Sequence, residues 1–115
     1  MPQEPLTLED LPGQDGQRIL RLIGPLTISN LFEFQSKVRA DKSPMLIIDL
    51  TSVPYMDSAG IGCLVGAYVT HNKDGHTLSL VGVNSRVRDA LKITHVEQFF
   101  RFYDSMEAVE QSLAH

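Results

Sequence analysis

The sequence predicts one α/β domain, a mixed and mainly parallel sheet of about five strands with about four helices against it. Three observations carry that expectation. The chain has 115 residues, room for one hydrophobic core, so residues 1–115 read as a single domain. It opens with two strand-like runs around a Pro-Gly turn, which is a hairpin signature. After Gly24-Pro25, short apolar runs alternate with segments of helical period, the pattern of parallel strands joined by crossover helices.

Leu6, Leu8 and the segment to Leu11 read as a first, short strand. Pro12-Gly13-Gln14-Asp15-Gly16 is a turn whose two glycines are free to take positive φ. Gln17 to Ile23 returns antiparallel. Asn30 followed by Glu33 makes a capping-box pattern, and Leu31, Phe34 and Val38 continue at helical spacing until Ser43-Pro44. Met45 to Leu50 is an apolar run of the kind found in a strand covered on both faces, and Ser52 to Met56 is a connecting loop. Ile61, Leu64, Val65 and Tyr68 lie at i, i+3, i+4 and i+7, which predicts an amphipathic helix from Ser58 to about Asn72, stopped by Gly75. Leu78 to Val83 is the next strand. Asn84 or Ser85 then caps a short helix carrying Val87, Ala90 and Leu91. Phe99 to Tyr103 is aromatic and strand-like. Asp104 with Glu107 opens a last helix with Met106, Val109 and Leu113 inward.

Composition removes several functions. Ten Lys+Arg against fourteen Asp+Glu leave a net charge of −4, without the basic footprint that binding nucleic acid or anionic lipid requires. The one cysteine, Cys63, forms no intramolecular disulfide and fits a reduced compartment. No apolar run reaches the roughly 20 residues of a membrane span, and no secretory leader is expected. There is no G-x-x-x-x-G-K-[ST] loop and no G-x-G-x-x-G, so no nucleotide pocket is assigned. His71, His76, His95 and His115 are too scattered for metal ligation and read as solvated or capping residues. Ser58 lacks the G-x-S-x-G setting of a hydrolase nucleophile, since Met56 stands where glycine would be. No catalytic residue, metal or cofactor is expected.

The informative segment runs from Val53 to Gly62, leaving a central strand and entering a helix. Ligands and partners of open α/β sheets meet that edge. Asp57 or Ser58 can cap the helix, and a phosphate on Ser58 would sit well against its N-terminus. From Ser58 to Asn72 there is no charged residue. The Ile61-Leu64-Val65-Tyr68 stripe reads as core. Opposite it, Ala59, Gly62, Cys63, Gly66 and Thr70 form either a protein-contact surface near Ser58 or a face packed under a neighbouring loop.

Leu46-Ile47-Ile48-Asp49-Leu50-Thr51, followed by Tyr55-Met56-Asp57-Ser58-Ala59-Gly60-Ile61-Gly62, resembles the signature of the STAS domain, and specifically the small single-domain anti-sigma factor antagonists of bacteria. The likeness spans nearly the whole chain and implies a STAS-like fold and a cytoplasmic partner-switching regulator of transcription that is not an enzyme. In such a switch the unphosphorylated antagonist binds an anti-sigma factor that is also a serine kinase, and so frees the sigma factor. Phosphorylation of the matching serine, here Ser58, abolishes binding, and a serine phosphatase resets it. Asp57, Ala59 and Gly60 match the neighbours of the acceptor. The partner-binding set is expected to include Thr27, Tyr55, Met56, Ile61, Gly62 and Gly66, with Thr27 standing where family members often carry an acid. Weak nucleotide binding is associated with the family, but no residue pattern here locates it. Two rival readings are a STAS subunit that scaffolds a transporter or stress-signalling complex without switching, and a phosphotransfer receiver using Asp49. The receiver lacks its acidic pair after the first strands, where Leu22-Ile23-Gly24-Pro25 stands, and its late lysine.

Overall fold

The computed structural model describes residues 5–14 and 16–113, Leu113 by its backbone alone. Strand β1 (Thr7–Leu11) turns into β2 (Gln17–Ile23), then come α1 (Phe32–Ala40), β3 (Met45–Ser52), α2 (Ser58–Lys73), β4 (Thr77–Val81), α3 (Ser85–Ile93), β5 (Arg101–Tyr103) and α4 (Met106–Leu113). The sheet order is β1-β2-β3-β4-β5. Among the described residues only the β1–β2 pair is antiparallel, so the expected hairpin and the mixed, mainly parallel sheet are both present.

The period-two alternation of a strand divides the core. Leu20, Leu22, Leu46, Ile48, Leu50, Leu78 and Leu80 face one way, where Phe34 and Val38 of α1, Ile61 and Leu64 of α2, and Val87 and Leu91 of α3 cover them. Ile19, Ile47 and Val81 face the other way against Val109 of α4. Three helices therefore lie on one face and a single short one on the other, which explains why β3 reads as a continuous apolar run.

Several local expectations are corrected, each by a contact that is not local in sequence. Asn30 does not cap α1. Its Oδ1 accepts from Thr27 N at 2.9 Å and its Nδ2 donates to the Pro25 carbonyl at 2.8 Å, while Leu31 takes the N-cap place without a side-chain bond. In the first turn Gly16 takes positive φ and Gly13 does not; Asp15 lies outside the described residues. β3 runs two residues past Leu50, to Ser52. β4 stops at Val81 rather than Val83, because Gly82 turns at φ +70° and donates its N–H to the Tyr103 carbonyl. Phe99 closes a 3-10 turn over Glu97–Phe99, which shortens β5. Ser105 rather than Asp104 serves α4, its Oγ accepting from Ala108 N at 3.1 Å. The buried column of α2 is Ile61, Leu64, Ala67 and His71, with Val65 and Tyr68 half-buried beside it. His71 is thus a core residue and not a solvated or capping one. His115 and the Leu113 side chain lie outside the described residues. Asn84 caps α3 as expected, accepting from Val87 N at 2.8 Å, and Gly75 ends α2 at φ +76°. No helix among the described residues is long and apolar enough to cross a membrane.

Candidate site at the start of helix α2

The loop from Val53 to Asp57 carries the chain from the end of β3 to the start of α2. It is held by its neighbours on both sides. Leu26 and Met56 form an isolated parallel bridge: Leu26 N donates to the Tyr55 carbonyl and Asp57 N to the Leu26 carbonyl, each at 3.3 Å. From the other side, Asn84 Nδ2 donates to the carbonyls of Val53 and Pro54, at 3.1 and 3.2 Å.

Two members of the Asp-Ser-Ala-Gly segment, Asp57 and Gly60, have a structural task. Asp57 needs both carboxylate oxygens: Oδ1 accepts from Gly60 N at 2.8 Å and caps α2, while Oδ2 accepts from Ile28 N at 3.0 Å and ties down the β2–α1 loop. Gly60 permits close approach, since a Cβ there would lie 2.2 Å from the Leu26 carbonyl oxygen. Ser58 does none of this. It is exposed, and no hydrogen bond among the described residues engages its hydroxyl. The fold employs the residues around Ser58 and leaves Ser58 idle.

A helix start orphans four N–H groups. Ile61 N donates to the Asp57 carbonyl and opens the helix, Asp57 N is taken by Leu26 and Gly60 N by the cap. The N–H groups of Ser58 and Ala59 remain for solvent or for an anion, at the positive end of the helix dipole.

From Ser58 to Thr70, α2 carries no charged side chain. Gly62 and Gly66 are exposed, and a Cβ at either would have no neighbour within 4 Å. This face of α2 is therefore open rather than packed under a loop. Beside it runs a groove walled by Gln35, Val38 and Arg39 of α1 and by Gly62, Cys63 and Gly66 of α2. Burial pushes the Cys63 thiol up, against the opposing pull of Arg39, so Cys63 is a packing group and not a reactive thiolate. Tyr55 is half-buried, with the Arg86 guanidinium 5.0 Å from its ring centre. Thr27 belongs to the turn that Asn30 stitches, and its hydroxyl shares a 2.9 Å hydrogen bond with Ser29.

Two of the expected contact residues lie below the surface. Met56 and Ile61 are buried in the core, so their side chains pack the loop and helix from beneath, leaving Thr27, Tyr55, Gly62 and Gly66 toward the surface. Two residues escaped the sequence reading. Ile28 and Phe32 are 61% and 64% exposed, large apolar side chains on the segment that Asp57 anchors. Phe32 breaks the periodicity, lying beside the buried Leu31-Phe34-Val38 set, and that misfit was the available signal.

Asp49 is unsuited to phosphoacceptance. It is buried; Oδ1 accepts from Thr51 N and Oγ1 at 3.0 and 2.6 Å, and Oδ2 from Arg21 Nε at 3.2 Å. The sheet order also differs from the 2-1-3-4-5 arrangement of receivers. Among the described residues no three His, Cys, Asp or Glu side chains converge to hold a metal.

Comparison with known proteins agrees with this architecture. The STAS domain family model matches residues 10–109. The anti-sigma-B factor antagonist of Staphylococcus aureus is 28% identical over 81 residues, covering 70% of this chain and 75% of its own. An anti-sigma factor antagonist from Mycobacterium paratuberculosis superposes with a TM-score of 0.82 at 18% identity, covering 96% of this chain and 95% of its own. The Bacillus antagonist SpoIIAA, solved in unphosphorylated and phosphorylated forms, gives TM-scores of 0.77 and 0.73 at 15% and 14% identity; the coverage is 95% and 92% of this chain and 98% and 99% of SpoIIAA. The murine anion transporter Slc26a9 also matches, with a TM-score of 0.71 at 25% identity over 88% of this chain but only 18% of the transporter.

Proposed function

The chain belongs to the STAS domain family, and from that premise we propose that it is an anti-sigma factor antagonist that works by partner switching, with Ser58 as the phosphoacceptor. The observation that carries this reading is the idle, exposed Ser58 between Asp57 and Gly60, both of which the fold employs. In its unphosphorylated form the protein binds an anti-sigma factor with serine kinase activity, releasing the sigma factor in the bacterial cytoplasm. The partner phosphorylates Ser58 and is lost; a serine phosphatase restores binding. The protein acts by occupancy, not catalysis.

The energetics favour a switch at the interface rather than refolding. Phosphorylation adds about −1.5 to −2 charges, against a whole-chain −4. Within the domain that charge meets the free N–H groups and dipole of α2. Under a partner surface it would be desolvated beside Asp57, at several kcal/mol per ion. Changing occupancy from 99:1 to 1:99 takes about 5.5 kcal/mol, which one buried, unpaired phosphate can supply. In this reading, exposed Ile28 and Phe32 and the open glycine face of α2 are the uncharged groups offered to the partner.

The likeness to a transporter's STAS segment supports a second reading, a scaffold that does not switch. Affinity capture from the source cell with wild type, Ser58→Ala and Ser58→Asp separates the two. The switch predicts an anti-sigma factor kinase retained by wild type and Ser58→Ala and lost with Ser58→Asp. Transporter subunits held equally by all three would establish the scaffold instead.

A further inference from the structure

His71 lies in the last turn of α2 and is 2% exposed. A buried imidazole needs a partner at each ring nitrogen. Here Nδ1 is 3.0 Å from the Ala67 carbonyl oxygen one turn back, and Nε2 is 2.9 Å from Asp41 Oδ2. A carbonyl oxygen only accepts. Asp41 is engaged as a carboxylate too: its Oδ1 accepts from Ser43 Oγ at 2.9 Å and lies 3.6 Å from Arg18 Nη1. A neutral imidazole offers one N–H and one lone pair, so it would set a lone pair against an acceptor in one of these two buried contacts. Only a ring carrying both protons donates to both.

We propose that His71 is a doubly protonated imidazolium in the folded protein, a buried cation that latches the end of α1 to the end of α2. Asp41 follows directly on α1, and its own N–H closes that helix on the Val38 carbonyl at 3.1 Å. The negative end of the α2 dipole adds to the case for a cation at this place. Burial by itself would raise the Asp41 carboxyl, but the hydrogen bonds from His71 and Ser43 outweigh it and hold Asp41 below the usual range.

The surrounding charges form a chain across four elements. From β2, Arg18 faces Asp41 and bonds Asp10 of β1 at 2.9 Å; from α1, Lys37 bonds the same Asp10 at 3.1 Å. His76, entering β4, presents its ring edge-on at 6.1 Å. Lys73 ends α2 and Asp74 follows it, and Lys42 follows Asp41. The latch also sets the spacing of the two helices that wall the groove beside Ser58, since Val38 and Ala67 line it.

Ring-nitrogen NMR of the full 15N-labelled chain tests it directly. At about pH 7.5, a unit above an ordinary imidazole's value of about 6.5, both nitrogens of His71 should read as protonated. A single protonated nitrogen in the folded wild type would overturn the proposal. Asp41→Asn should leave His71 with one bare nitrogen; an unchanged imidazolium would contradict the latch. Because the fold then holds a proton that the unfolded chain has released, the unfolding constant should rise with pH, by up to tenfold per unit above about 6.5. His71→Gln should abolish that slope, and parallel slopes in the two proteins would count against the proposal. If either variant fails to fold, the wild-type spectrum still decides.

Discussion

Gly60 and Gly62 are two positions apart on one helix and illustrate how differently a fold treats the same residue. A methyl at Gly60 would meet the Leu26 carbonyl oxygen at 2.2 Å, an approach that the backbone on both sides resists. A methyl at Gly62 would meet nothing within 4 Å. Gly60→Ala should therefore destabilise by about 1–3 kcal/mol through overpacking, and Gly62→Ala should stabilise by about 0.5–1 kcal/mol through helix propensity. Urea titration of the two variants checks both signs at once. The sequence order Asp-Ser-x-Gly was readable as a cap by Asp57 or Ser58, and Asp57 supplies it. What it did not disclose is that Asp57 serves two elements, because Ile28 lies 29 positions away. His71 was misread for the same reason: its partner Asp41 lies 30 positions off in sequence, and nothing local distinguishes a buried histidine from a solvated one.

At the scale of elements, helical period located α2 to within one residue, since a long amphipathic run is set by local spacing. Short elements fared worse where tertiary contacts decide their ends. Asn30 is drawn off to stitch a turn, Gly82 turns toward Tyr103, and Phe99 enters a 3-10 turn and stacks on Tyr68 at 5.2 Å between ring centres. The absence of Asp, Glu, Lys and Arg from Ser58 to Asn72 was also legible, and the open Cβ directions at Gly62 and Gly66 show what that absence leaves accessible. Gly62→Glu and Gly66→Glu each place a carboxylate on that face with room to stand. Both should keep or raise the melting temperature while weakening capture of the anti-sigma factor at least tenfold. A marked fall in melting temperature would show instead that the face is covered in the folded protein.

For the whole molecule, an opening hairpin followed by alternating strands and helices was enough to specify a mixed five-stranded sheet, because connection rules leave few other arrangements. The division of helices, three on one face and one on the other, was not readable, since β3 is apolar on both sides. Two buried carboxylates tie elements together, Asp49 linking β3 to Arg21 of β2 and Asp41 linking the end of α1 to His71 of α2. Burial raises Asp49, but hydrogen bonds from the Thr51 hydroxyl and N–H, together with Arg21, more than reverse this, and Asp41 is likewise held below the usual range. Both are lowered from 3.8, so the stability they contribute is complete above that value and is lost as pH falls through it toward their folded values. Denaturant midpoints should therefore drop from about pH 5 downward, and Asp49→Asn should flatten that drop. The central claim concerns another charge, the one that Ser58 is placed to gain. Calorimetric titration of the captured anti-sigma factor with the unphosphorylated protein and with the protein stoichiometrically phosphorylated on Ser58 tests it most directly. A loss of affinity approaching 10⁴-fold between two forms with the same fold is the predicted result; equal affinity of the two forms would contradict it.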